Sequence, residues 1–171
     1  MALSQAAPRP PLTDPFGRKI DYLRLSVTDR CNLRCVYCLP AFYDGFCASE
    51  EVLSDDEVVS LAESFVDLGF SKIRITGGEP LVRPGIVGIV RRLAAIPGVK
   101  ALSLSTNGTN LLPLADGLAA AGLQRINVSV DSLRPERFSA ITRRGRLEGV
   151  MAGIERAMLR GISPLKINVV V

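Results

Sequence analysis

Five short stretches of this chain, 20–27, 71–76, 100–105, 124–131 and 164–170, alternate apolar and polar residues, and segments with helical spacing lie between them. A period of two marks a strand whose two faces meet different surroundings, and strands that alternate with helices build parallel sheets from βα units. The first helix is announced by Ser54 with Glu57 three residues on, a capping box, after which Val58, Leu61, Ala62 and Phe65 share a face before Gly69. Further helices are expected over 84–95, 111–121 and 146–160, the last two stopping at Gly122 and Gly161. The order is strand, long cysteine-bearing loop, helix, then three more βα units and a closing strand. Right-handed crossovers would lay the strands side by side with the helices outside.

A strand covered by helices on both faces is usually apolar throughout, and these are not. One face carries Leu23, Leu25, Ile73, Ile75, Leu102, Leu104, Ile126, Val128, Val130, Leu165, Ile167 and Val169, which suits packing beneath helices. The other carries Arg24, Ser26, Arg74, Thr76, Ser103, Ser105, Asn127, Ser129, Asp131, Lys166 and Asn168. Curled into a barrel, the sheet would gather these polar groups around one interior. Left buried and bare they would cost about 1–3 kcal/mol each, so such an interior is a cavity for water or ligand. The other arrangement these residues allow is an open sheet with one solvated face.

At 171 residues, 47% of them hydrophobic and 22% charged, the chain suits one ordinary domain. Residues 1–15, with four prolines and no apolar signal core, read as a flexible tail ahead of a core domain over 16–171. No apolar run is long enough to span a bilayer, and the expectation is a cytoplasmic protein without a membrane partner. A net charge of +4 spread along the chain gives no case for nucleic acid.

Three of the four cysteines crowd into Cys31-Asn32-Leu33-Arg34-Cys35-Val36-Tyr37-Cys38, directly after the first strand. That places them at the strand's C-terminal end, the face where βα barrels carry their active sites. Three thiolates on one loop can take three irons of a cubane and leave the fourth iron open, and the chain has no histidine to complete a set. The competing reading is a structural zinc site with Cys47 as its fourth ligand.

The C-x-x-x-C-x-x-C spacing with an aromatic residue before its last cysteine resembles the radical S-adenosylmethionine superfamily. The resemblance implies a 4Fe-4S cluster on Cys31, Cys35 and Cys38, with Cys47 a bystander. It also implies an open iron that chelates the methionine moiety of S-adenosylmethionine, whose cleavage by one electron from an electron donor releases a 5′-deoxyadenosyl radical. Gly77-Gly78-Glu79-Pro80, after the second strand, is similar to the element that holds the methionine amino group in that superfamily. Its glycines let backbone approach a ligand, and Glu79 can take an ammonium.

Within the superfamily the chain resembles the GTP 3′,8-cyclases, which open molybdenum cofactor biosynthesis. The stretches that carry this are Phe16-Gly17-Arg18, the run from Leu23 to Asn32, the run from Ile73 to Leu81, Ser105-Thr106-Asn107-Gly108, Arg125-Ile126-Asn127-Val128-Ser129 and Lys166-Ile167-Asn168-Val169-Val170. By that resemblance Tyr37, Gly78 and Ser129, with Glu79, are S-adenosylmethionine contacts, and Arg24, Arg74, Ser105 and Lys166 are GTP contacts. The implied reaction takes hydrogen from carbon 3′ of the GTP ribose and joins that carbon to carbon 8 of guanine. Leu39 and Ser105 depart mildly from the family, which has methionine and threonine there.

The fold expected is α/β, a partial (β/α) TIM-like barrel truncated after the fifth strand. The family continues into a region that carries a second 4Fe-4S cluster, and that region is absent from this chain. An apolar edge at Val169-Val170-Val171 leads to the expectation of poor solubility and self-association, with a homodimer possible. Two alternatives stay open: a radical enzyme of this superfamily acting on another substrate, and a non-catalytic metal-binding fragment.

Overall fold

Backbone pairing follows the sequence pattern closely. The structure, a computed structural model, describes residues 12–170. Five strands, β1 (Tyr22–Ser26), β2 (Lys72–Thr76), β3 (Ala101–Thr106), β4 (Arg125–Ser129) and β5 (Leu165–Asn168), form one parallel sheet in chain order. The helices are α1 (Asp55–Asp67), α2 (Ile86–Ala95), α3 (Leu111–Ala120), α4 (Pro135–Thr142) and α5 (Leu147–Leu159). This is the expected α/β architecture.

One element departs from expectation. Between β4 and β5 the chain forms two helices, not one, because Pro135–Thr142 closes into α4. Its eight residues are too few for a visible helical stripe, and Phe138, 1% exposed, is the anchor that docks it. Proline in the first turn costs the helix no hydrogen bond it could have made.

The capping box at α1 is formed: the Glu57 amide donates to Ser54 Oγ at 3.3 Å and the Ser54 amide to Glu57 Oε2 at 2.8 Å. Such a cap contributes about 1 kcal/mol. The buried face of α1 carries Val58, Val59 and Ala62, and Leu61 lies on its rim, exposed. At 100° per residue, Val59 sits nearer than Leu61 to the centre of the stripe that Val58, Ala62 and Val66 define.

Ile73, Ile75, Leu102, Leu104, Ile126 and Val128, the apolar face of the central strands, are essentially inaccessible beneath Ile89, Leu93, Leu118 and Val150 of the helices. Burying each such side chain stabilises by about 1.5–3 kcal/mol. On β5 and just beyond it the same face is open, with Ile167 47% and Val169 51% exposed. The polar face behaves oppositely: Ser103 and Asn127 at its centre are buried, while Arg24 and Lys166 on the outer strands are exposed. A sheet that curves around its polar face gives this gradient.

Of the tail expected over 1–15, residues 1–11 lie outside the described residues. Residues 12–20 close into an antiparallel turn, with a Thr13–Lys19 bridge and Asp14 accepting from the amides of Phe16 and Arg18 and from Arg18 Nε.

Helices α3 and α5 are tied at the surface through Asp116, which accepts from Arg156 at 2.6 Å and from Arg160, just past α5, at 2.9 Å. These guanidinium hydrogen bonds, Arg156 first, hold the Asp116 carboxyl far below its ordinary value of 3.8. A carboxyl depressed in the folded state stabilises it above the ordinary value and loses that contribution as pH falls below it. In urea titrations, Asp116→Asn is therefore expected to be less stable than the parent at neutral pH, and the gap is expected to close below pH 3.8 and to shrink in high salt.

Candidate metal and cofactor centre

All five strands run the same way, so their following loops meet at one edge of the sheet, and the expected site residues gather there. The Gly78 amide donates to Thr28 O and the Glu79 amide to Arg30 O, both at 2.8 Å, which seals the loop after β2 against the start of the cysteine loop. Asn107, just past β3, donates through Nδ2 to Asn32 Oδ1 at 2.9 Å and lies 3.8 Å from Cys31 Sγ. Tyr37 donates its hydroxyl to Asp131 Oδ2 at 2.6 Å, and the Val170 amide donates to Asp131 Oδ1 at 3.0 Å, which joins the cysteine loop to the ends of β4 and β5.

Both glycines at the end of β2 are demanded by geometry. Gly77 adopts φ +155°, and a Cβ there would overlap the Thr28 carbonyl oxygen. A Cβ on Gly78 would overlap the Asp29 carbonyl oxygen and lie 2.6 Å from that of Arg30. Only glycine lets the two loops touch through their backbones, and Gly78 itself stays exposed.

Cys31 and Cys35 are half-buried and Cys38 is exposed. Burial pushes the Cys31 and Cys35 thiols up, and each of them also feels the other thiols of the loop. Cys47 stands apart: its amide donates to Asp29 Oδ2 at 2.6 Å, and its thiol is pushed up by Asp29 and Glu51, not by the other cysteines. Among the described residues no three ligating side chains converge on a single point, as one zinc ion demands. Each thiolate of a cubane takes a different iron, so three ligands on one open loop fit a 4Fe-4S cluster without converging. The donor set is sulfur throughout, and the Leu33 amide already lies 3.4 Å from Cys31 Sγ as a donor to a thiolate.

Glu79 lies at the junction of the loops after β2 and β3. Only 1% exposed, it accepts from the Leu81 amide at 2.9 Å and Thr106 Oγ1 at 2.7 Å through one oxygen, and from the Asn107 amide at 2.6 Å through the other. Burial pushes its carboxyl up, against those three donors. The side chain clamps the loops after β2 and β3 together.

The polar face holds two cross-strand rows below this edge. Arg24, Arg74, Ser103 and Arg125 stand opposite one another across β1 to β4, and Ser105, Asn127 and Lys166 do so across β3 to β5. Arg24 and Arg74 are like charges in direct register, which is unfavourable unless an anion shares them. Among the described residues none of Arg24, Arg74, Arg125 or Lys166 has a carboxylate within 4.0 Å. Arg74 stacks over the Tyr22 ring at 5.4 Å and lies 3.4 Å from Ser103 Oγ. A cavity of about 90 Å³ lies between Arg74, Ser103, Arg125, Asn127 and Lys166. Arg125 was not anticipated, although its even spacing from Asn127 marks it. Ser129 is half-buried at the end of β4, opposite Asn168.

Compared with known proteins, residues 25–171 match the sequence pattern of the Radical SAM superfamily. The chain is 55% identical over 159 residues to the GTP 3′,8-cyclase of Listeria welshimeri, covering 93% of this chain and 48% of that protein. It is 51% identical over 162 residues to the GTP 3′,8-cyclase of Pseudomonas savastanoi pv. phaseolicola, covering 95% and 48%. The chain thus spans about half the length of the curated relatives it matches. Among solved structures, the FeFe-hydrogenase maturase HydG from Carboxydothermus hydrogenoformans superposes with a TM-score of 0.64 at 18% identity, over 85% of this chain and 35% of that one. The radical S-adenosylmethionine methyltransferase TsrM from Kitasatospora setae does so at 0.64 and 22%, over 87% and 30%. These two likenesses concern the fold.

Proposed function

This chain belongs to the radical SAM superfamily, and we propose that within it the chain is the cluster-bearing part of a GTP 3′,8-cyclase, the enzyme that starts molybdenum cofactor assembly. The observation that carries the substrate reading is the pair of like charges Arg24 and Arg74 in register on a face where no carboxylate neutralises them. A triphosphate is the kind of anion that several guanidinium groups and an ammonium clamp together. Identity of 50–55% over nine-tenths of the chain to proteins named for that activity supports the same assignment.

In this reading Cys31, Cys35 and Cys38 ligate a 4Fe-4S cluster at the edge of the sheet. Tyr37, Gly78 and Ser129 line the S-adenosylmethionine site beside it. When bound, the cluster and S-adenosylmethionine supply one-electron chemistry and a carbon-centred radical able to take hydrogen. The chain's own contribution is position and charge. Arg24, Arg74 and Lys166 bind the triphosphate, with Arg125 flanking them, and Ser105 offers a hydroxyl to the nucleotide. The ribose is thereby turned toward the edge where the loops meet, and holding the reacting groups within contact distance removes much of the entropic barrier. An electron donor is required and is a separate partner. A cytoplasmic location suits the site, since its thiols must stay reduced to ligate a cluster.

Equilibrium dialysis of the chain with labelled GTP tests the substrate reading. Arg74→Ala is expected to weaken binding about tenfold or more, a loss of about 1.4 kcal/mol. Unchanged affinity in Arg24→Ala, Arg74→Ala and Lys166→Ala together would remove the case for GTP and favour a radical enzyme of another substrate.

A further inference from the structure

Arg34, inside the cysteine motif, is a buried cation with no counter-charge. It is 6% exposed, and among the described residues no carboxylate lies within 4.0 Å of it. Its guanidinium collects carbonyls of the loop itself: Nη1 donates to Cys31 O at 2.7 Å and Leu33 O at 2.8 Å, and Nη2 to Tyr43 O at 3.1 Å. The group lies over the Phe46 ring at 5.2 Å, and its Nε is buried without a partner. A charge in this state is costly, because desolvation of an ion is repaid only by a counter-charge or a full set of hydrogen bonds.

A second guanidinium closes the same loop from outside. Arg143 Nη1 donates to Arg34 O and to Leu39 O, each at 3.2 Å, and so bridges the two ends of the segment that holds Cys35 and Cys38. Arg143 sits at φ +61°, a left-handed conformation that an arginine adopts at a cost and that asparagine or glycine adopts readily. The end of α4 completes the seat, since the amides of Arg34 and Val36 donate to Thr142 O at 3.2 Å and Ile141 O at 2.9 Å.

The two arginines together hold the carbonyls of residues 31, 33, 34 and 39. The reduction potential of an iron–sulfur cluster depends on net local charge, and Arg34 places an uncompensated positive charge inside the loop that carries the thiols.

We propose that Arg34 is a positioning residue that raises the reduction potential of the cluster on Cys31, Cys35 and Cys38, and that Arg143 locks the loop that retains it. The charge of Arg34 stabilises the reduced, more negative cluster, and its fork holds the carbonyls of Cys31, Leu33 and Tyr43 in place. Arg143 acts on shape alone, from the loop's far side. This inference rests on the cluster reading given above.

The test is an anaerobic redox titration of the reconstituted chain followed by electron paramagnetic resonance, with iron release to a chelator timed in parallel. Arg34→Met is expected to lower the equilibrium constant for reduction about tenfold, a shift of about 59 mV to more negative potential for a one-electron couple. Arg34→Lys keeps the charge and loses the fork, so its potential is expected to stay near the parent's while iron release quickens several-fold. Arg143→Asn suits the left-handed backbone and keeps the fold; it is expected to leave the urea midpoint unchanged or raised, with iron release several-fold faster. A parent chain that takes up no iron would defeat the cluster reading itself. A parent that loads, with Arg34→Met at the same potential or Arg143→Asn retaining iron as well as the parent, would overturn the brace and leave the cluster reading intact.

Discussion

Cys35→Ala is expected to abolish the cluster: after anaerobic reconstitution, iron falls from about four per chain to near zero, and the reduced cubane signal disappears. Cys47→Ala is expected to load as the parent does. The contrast follows from where the thiols lie. Cys35 sits in the loop seated on α4, within range of Cys31 and Cys38, whereas Cys47 answers only to Asp29 and Glu51. Iron and sulfide analysis of the two variants side by side decides between the cubane and a four-thiolate zinc site. Equal loss of metal in both would establish Cys47 as a ligand and sink the open-iron reading, with everything that depends on it.

Gly78→Ala is expected to be the most damaging of the substitutions that leave the three cysteines in place. Its Cβ would meet carbonyl oxygens of Asp29 and Arg30, which belong to backbone and cannot swing aside. The loops after β1 and β2 would have to part, breaking the hydrogen bonds from Gly78 to Thr28 O and from Glu79 to Arg30 O. Overpacking of this kind costs about 1–3 kcal/mol, visible as a lower urea midpoint. The larger effect is on S-adenosylmethionine binding, measured by equilibrium dialysis at matched iron content, which is expected to fall by at least tenfold. Gly88→Ala is the control: nothing lies within 4 Å of its Cβ on α2, and alanine there is expected to stabilise by about 0.5–1 kcal/mol. Were Gly78→Ala as benign as Gly88→Ala, the close approach of the two loops would not matter to the site.

Much of this was legible in one dimension. The alternation of apolar and polar residues marked all five strands and separated their faces correctly, because the period of two is a property of extended backbone. Ser54 and Glu57 marked the start of α1, because a capping box is closed by residues three apart. The spacing of Cys31, Cys35 and Cys38 marked the candidate cluster loop, which follows β1 at the C-terminal edge of the sheet. The polar face put Arg24, Arg74 and Lys166 on one surface, and the register of the sheet bears that out.

Other features depended on partners far away in sequence. Glu79 has donors that no local pattern announces: Thr106 and Asn107 are 27 and 28 residues away. Helix α4 was too short to read, yet its end seats the cysteine loop, and Arg143 beside it reaches a carbonyl 109 residues back. Nothing in the spacing of the motif marks Arg34, inside it, as buried. What the sequence by itself determined was each element's type, the face each side chain takes and the spacing of the ligands, since local backbone geometry dictates all three. Only the tertiary structure decided which charges are left unpaired, which carboxylate is spent on the protein itself and what holds the metal loop in shape, because those depend on which loops the parallel strands deliver to one edge.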